Sequence, residues 1–290
     1  MTLIIALKWI EESNESVVIS SDSKATVGPI SYETRKVYPI GLEVGDKYVP
    51  LAIAGGAGEA SIVKQSYRVC EKVLTDLAVK EWKNQTPTFE QFEDAVNQIE
   101  FILIRRFKEL REQGLEPSFS MILASVSPQG KASMELFDER GLAEPVHDNP
   151  GFAIIGTGFI TGGNLLLRLL GYSAEESYTV DIGALSTFII DVVSEIDPAV
   201  GSFVGESYYM GIEKGEVFLG PMNPEYIKPY KRKVAKRKEL LQRIWKLFDR
   251  IGEEEVEKMV KESEKKLTET EATTKDVDKK LKRKLSLRKT

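Results

Sequence analysis

A chain of 290 residues has room for one large domain, or for one domain plus an extension. Its 42% hydrophobic content supports a sizeable core, and no run approaches the roughly 20 apolar residues of a membrane span. The single cysteine, Cys70, excludes an internal disulfide and a Cys-cluster metal site, and the single histidine, His147, weighs against His-ligated zinc and against a Ser-His or Cys-His hydrolase.

The chain opens MTLIIALKW, so an apolar strand is expected from residue 2. The opening lacks the basic n-region, longer apolar run and small-residue cleavage site of a secretory signal, which leaves a cytoplasmic protein as the expectation. Residues 2–10 and 15–21 read as a β-hairpin across the polar EESNE. A shorter extended pair follows in ISYETRKVYPIGLEV, and KYVPLAIAGG is an apolar strand that ends in glycines. From Glu59 the period changes to three and four, which predicts a long amphipathic helix through EASIVKQSYRVCEKVLTDLAVKEW, with Cys70 packed inside. A second helix follows in TPTFEQFEDAVNQIEFILIRRFKELREQG, opened by a capping box from Thr88 to Gln91 and closed at Gly114.

The second half repeats the theme. SMILASVS, KASMELFD and GFAIIG read as strands, with His147 in a surface loop, VHDNP, between the last two. GGNLLLRLLG and GALSTFIIDVVSEID read as helices, and SFVGESYYMGI with GEVFLG as a closing hairpin. The absence of strand-helix-strand alternation argues against a doubly wound parallel sheet. The expected class is α+β, with two sheets face to face and a helix pair outside each, a four-layer αββα sandwich.

Charge divides the chain. Lys228 to Thr290 carries 22 Lys and Arg against 12 Asp and Glu, a net +10, whereas 1–227 is net −15. The expected domains are therefore a core over 1–227 and a basic helical extension over 228–290 whose end is disordered. Leu240, Leu241, Ile244, Trp245, Leu247, Phe248 and Ile251 share one helical face there. The basic run reads first as a solvated face, next as a surface that docks on the acidic core or another subunit, and last as a nucleic-acid contact. Deleting 260–290 should leave the core folded, because that segment has little apolar surface to bury; loss of soluble expression would contradict this.

The chemistry suggested by the opening is that of an N-terminal nucleophile. It needs a hydroxyl or thiol on the first residue, whose α-amine, with a pKa of about 7.7–8, acts as base. It also needs a nearby cation and a backbone donor for the oxyanion. Removal of Met1 would expose Thr2, with no propeptide to excise.

From Thr2 onward, SSDSKATVG, TRKVYPI, AIAGGAGEA, GTGFITGG and IDPAVG follow in an order that resembles the proteasome β-subunit family, nearest to its bacterial ancestral-β branch, over roughly residues 2–222. The resemblance implies a threonine-type peptidase. Thr2 matches the nucleophile, Asp22 the acidic residue that orients the lysine, and Lys36 that lysine. Gly55 matches the glycine whose N–H forms the oxyanion hole, and its missing Cβ lets the substrate carbonyl approach. Asp197 matches the acidic partner of the terminal residue. Thr26 and Ala57 match positions whose backbone pairs with an extended peptide. Ile53, Ala25 and Ala57 match the specificity-pocket wall and imply apolar side chains there. Arg35, beside Lys36, would point to the opposite face of a strand.

Two positions depart from the family pattern. Thr157 replaces the serine of a Gly-Ser-Gly turn, and Val200 replaces a serine three residues after Asp197, with Ser202 out of register. The resemblance further implies a homo-oligomer, as a ring or open spiral, acting on polypeptide without a cofactor, metal or membrane; it names no ATPase partner. Two alternatives stay open. The same acyl-ester could serve a transpeptidase or amidase, or the chain could be a non-catalytic assembly subunit. A dinucleotide reading of GTGFITGG fails, because its third glycine falls one place late and no βαβ unit surrounds it.

Overall fold

The computed structural model describes residues 2–11, 13–27, 30–172, 182–202, 206–221, 224–263 and 265–266. Met1, and with it the expected processing step, lies outside the described residues, as does the chain after 266 where disorder was expected. The chain divides into two compact units, 1–234 and 235–290.

In the first unit, β1 (Ile4–Glu11) and β2 (Asn14–Ser21) form the expected hairpin. They lie in a five-stranded sheet with β10 (Phe152–Ile155), β11 (Glu206–Glu213) and β12 (Glu216–Pro221), in the order β10-β1-β2-β11-β12. A second five-stranded sheet has the order β5-β6-β7-β8-β9, from β5 (Val37–Val44), β6 (Lys47–Gly58), β7 (Phe119–Val126), β8 (Ala132–Phe137) and β9 (Ala143–Pro145). A separate two-stranded ribbon joins β3 (Lys24–Val27) to β4 (Ile30–Glu33). Neighbouring strands in both large sheets run antiparallel. The molecule is thus mixed α/β with two antiparallel sheets, and β9 is a short strand that the sequence pattern did not reveal.

Helices α1 (Ala60–Lys80) and α2 (Phe89–Glu112) begin where the period changes, and Thr88 and Gln91 form the expected reciprocal cap. They bury Cys70, Leu74, Phe92, Ile99 and Phe107 against Leu51, Ala52 and Leu123 of the second sheet. Burial pushes the Cys70 thiol well above its ordinary range, so it stays protonated packing. A second cluster joins the sheets, with Ile4, Ala6, Val17 and Ile19 meeting Val37, Ile53, Ile122 and Ala124. A third joins Leu3, Ile5 and Leu7 to Leu167 on α3 (Asn164–Leu169) and Phe188 and Ile189 on α4 (Ile182–Ile196).

This explains the opening LIIAL. Strand side chains alternate between faces, and each face of β1 meets an apolar cluster, so Leu3 to Leu7 are all fully buried. A strand covered on both sides has no position that must be polar.

The second unit contains most of α5 (Pro224–Ile251), with the boundary falling after Val234. Its Leu240, Leu241, Ile244 and Trp245 are exposed. No helix among the described residues is long and apolar enough to cross a membrane.

His147 differs from expectation. It is buried, packed edge-on against Phe89 with ring centroids 5.3 Å apart, and its Nδ1 lies 3.6 Å from Glu135 Oε1. Burial pushes the Glu135 carboxyl up to about 7, with Glu93 and Glu100 adding to the rise and the Ser133 hydroxyl opposing it. A raised folded pKa means stability that is complete below the unfolded value, near 4.5, and lost as pH climbs to about 7. Glu135→Gln should therefore stabilise the protein at mildly alkaline pH by something on the order of 2–3 kcal/mol. Thermal unfolding at two pH values checks this: the gain should vanish in acid.

Candidate active site

Thr2 and Leu3 lead into β1, and Asp22 follows the end of β2. The register Ile4 to Ser21, with Asp22 N donating to Leu3 O at 3.0 Å, brings the start of one strand against the end of the other. Lys36 precedes β5 in the facing sheet. These three residues, remote in sequence, meet at one oxygen. Asp22 Oδ1 accepts from Thr2 Oγ1 at 2.7 Å, from Leu3 N at 2.8 Å and from Lys36 Nζ at 2.6 Å. Asp22 Oδ2 accepts from Gly201 N at 2.8 Å and Lys24 N at 3.1 Å. The carboxylate has no exposed surface, and Thr2 and Lys36 are each 5% exposed. Burial lowers the Lys36 pKa, while the charge and hydrogen bond of Asp22 oppose that fall. Lys36 Nζ also donates to Lys24 O. An ammonium held this way is a fixed positive charge beside a fixed alcohol.

Thr157 lies on the other side of Thr2. Its Oγ1 donates to Thr2 O at 3.4 Å, and Gly158 N donates to the same oxygen at 3.3 Å. The turn holds the carbonyl of Thr2. Asp197 is placed differently from expectation: Oδ2 accepts from Thr161 Oγ1 at 3.1 Å and Oδ1 from Ala199 N at 2.9 Å, and no Asp197–Thr2 hydrogen bond occurs among the described residues. Thr161, which the sequence reading passed over, also donates to Thr157 O at 3.3 Å and so links Asp197 to the turn. Val200 is buried in the same apolar cluster as Leu3, where a serine hydroxyl would need a partner, and Ser202 is exposed.

The glycine expected at the oxyanion hole needs correction in two respects. Hydrogen bonding along an antiparallel strand alternates between its two neighbours. Gly56 N donates to Lys36 O at 3.1 Å and Glu59 N to Ser118 O at 2.8 Å, which sets the alternation. Gly55 and Ala57 thus turn their N–H groups toward Ile122 and Ser120 on β7, while Gly56 and Gly58 turn toward the Lys36 side. The missing Cβ at Gly55 also serves packing, since one placed there would lie 2.9 Å from Ile4 Cγ2 and 3.1 Å from Ile19 Cγ2. Gly55→Ala should cost about 1–3 kcal/mol through overpacking between the sheets, read by urea unfolding.

Of the expected peptide-contact residues, Ile53 and Ala57 place their side chains in the cluster between the sheets, with 0% and 3% exposure, rather than on an open wall. Ala25 and Thr26 lie in β3 opposite Tyr32 and Ser31, and their side chains lie outside what the structure describes. Arg35 stacks on Tyr38 and Tyr208, with its Cζ 5.6 Å and 5.2 Å from the ring centroids.

The sequence reading also missed Glu206. Its Oε1 accepts from Lys36 N at 2.9 Å and its Oε2 from Ser21 Oγ at 2.7 Å. The available signal was a carboxylate two residues before the tyrosine pair of ESYYMG.

No family model and no curated protein matches the chain. Solved structures do match. A mutant of Anbu from Hyphomicrobium sp. strain MC1 superposes with a TM-score of 0.60 at 13% identity, covering 87% of this chain and 99% of that one. Anbu, the ancestral beta-subunit, from Yersinia bercovieri gives 0.59 at 12% identity, covering 84% and 96%. Identity this low carries architecture and leaves chemistry to the residues. The chain has a proteasome β-subunit-like fold.

Proposed function

We propose that the chain is a threonine-type peptidase of the N-terminal nucleophile class. The observation that carries this reading is the convergence of the Thr2 hydroxyl and the Lys36 ammonium on one buried oxygen of Asp22. With Met1 removed, the α-amine of Thr2 is the base, since no imidazole is near. The amine takes the hydroxyl proton as Oγ1 attacks the amide carbonyl, forming a C–O bond and an oxyanion. The Lys36 charge and the Gly58 N–H, on the same side of β6 as the engaged Gly56, stabilise that oxyanion. Collapse breaks the C–N bond, the departing amine receives the proton, and water then attacks the acyl-ester to release the second product and the free hydroxyl.

Substrate would add to the sheet edge. Pairing on the β5 side of β6 reaches Gly56, whose N–H meets Lys36 O, whereas β6 continues along β7 to Gly58 opposite Phe119. The end of β6 thus outruns its neighbour, and an extended polypeptide can take the vacant place. We assign Thr157, Thr161 and Asp197 to holding the Thr2 backbone, and residues 1–227 and 228–290 to a catalytic core and its extension. The three apolar clusters support a four-layer αββα arrangement, and a homo-oligomer is supported by exposed Phe159, Ile160, Leu165, Leu169 and Ile196 on neighbouring helical segments. A cytoplasmic location accompanies this reading.

Intact mass after treatment with an epoxyketone or β-lactone probe tests it. One adduct on a terminal threonine is expected; retained Met1 or an unlabelled threonine would overturn it. A non-catalytic assembly subunit is the second reading, favoured by the engagement of Gly56 N–H with Lys36 O, and either negative result would support it. Adding competing peptide amines separates hydrolysis from acyl transfer.

A further inference from the structure

We propose that Glu206 is a positioning residue for Lys36, anchoring its backbone to β2 and countering the positive charge of the Arg35–Lys36 pair. Glu206 opens β11 directly opposite Ser21, one residue before Asp22. Its two oxygens are divided, one receiving the Lys36 N–H and the other the Ser21 hydroxyl, and the Val37 N–H also donates to the carboxylate. Lys36 is therefore gripped at both ends: Asp22 holds the ammonium and Glu206 holds the backbone from which the side chain springs. One carboxylate alone would fix the charge but not the strand that carries it.

The groups that face Glu206 are Lys36, Arg35 and Tyr38 at the start of β5 and Ser21 on β2. Burial raises the Glu206 pKa, partly offset by the Ser21, Lys36 and Val37 hydrogen bonds and by the Arg35 charge. As a carboxylate, Glu206 carries a desolvation cost that a glutamine would avoid while keeping an acceptor for Lys36 N–H. What glutamine cannot supply is negative charge, and that charge raises the Lys36 pKa. A purely structural residue gains nothing from this cost; a residue that tunes a neighbouring ammonium does.

The catalytic consequence rests on the peptidase reading, whereas the effect on Lys36 does not. Two measurements on the full chain separate them. The carbon-13 chemical shift of Lys36 Cε, followed by NMR from neutral to alkaline pH, reads the Lys36 titration without any need of activity. Thr2 acylation by a β-lactone over the same range reads the catalytic consequence. In Glu206→Gln the Lys36 titration and the alkaline limb of acylation should both move to lower pH, with the thermal midpoint at mildly alkaline pH unchanged or raised. In Glu206→Ala, amide exchange at residues 36 and 37 should quicken by about tenfold. An unmoved Lys36 titration in the glutamine variant, or unmoved exchange in the alanine variant, overturns the proposal. A wild-type protein that never acylates would remove the peptidase reading, and the Lys36 titration would still decide the role of Glu206.

Discussion

Asp22→Ala is expected to lower stability by about 3–5 kcal/mol and to abolish acylation of Thr2. The carboxylate is fully buried and receives five hydrogen bonds, from Thr2, Leu3 and Lys36 on one oxygen and from Lys24 and Gly201 on the other. Truncation removes the counter-charge of the ammonium on Lys36, a residue only 5% exposed, and it strands three backbone N–H groups, those of Leu3, Lys24 and Gly201. An unpaired buried charge costs more than the pair was worth, so the loss exceeds that of an ordinary hydrogen bond. Adding Lys36→Met to Asp22→Ala should restore part of the stability, because the stranded charge is then gone, yet it should restore no acylation. Guanidinium unfolding of both single variants and the double variant measures the coupling. Near-additive losses would show that the two groups do not share the environment described here.

The second large effect is expected at Gly156→Ala. Gly156 has φ +90°, a conformation that side chains with a Cβ rarely adopt, and a Cβ there would lie 2.2 Å from Thr2 O. The backbone conformation alone costs about 1–3 kcal/mol, and displacing a carbonyl that cannot rotate away adds a comparable overpacking cost. The displaced atom belongs to the residue proposed as nucleophile, so acylation should fall at least as steeply as stability. Gly171→Ala is the control. It also has positive φ, +67°, but nothing lies within 4 Å of the added methyl, so it should show the conformational cost and leave Thr2 untouched. Equal acylation in both alanine variants would mean that the Gly156 turn does not set the position of Thr2.

Much of the secondary structure was legible because its signals are local. The Thr88–Gln91 cap, the change of period at Glu59 and the hairpin of β1 with β2 depend on residues a few positions apart. Three near neighbours in space were not legible. His147 read as a loop residue because its turn composition is local, whereas its burial comes from Phe89, far off in the chain. The ladder parity that turns Gly55 toward β7 depends on which strand pairs on each side, and composition says nothing of that. Glu206 lay in no motif, since its partners Ser21 and Lys36 come from a hairpin and a facing sheet.

By itself, then, the sequence determined where most strands and helices lie, the charge break before the extension, and the Thr2, Asp22, Lys36 order. Only the tertiary structure decided that these three meet on one oxygen, that Asp197 answers to Thr161, and that a second carboxylate holds the lysine. The reason is physical. Helix periods and caps are set by interactions within a turn or two of the chain, but a hydrogen bond between residues 14 to 170 positions apart exists only after two sheets have packed and chosen a register.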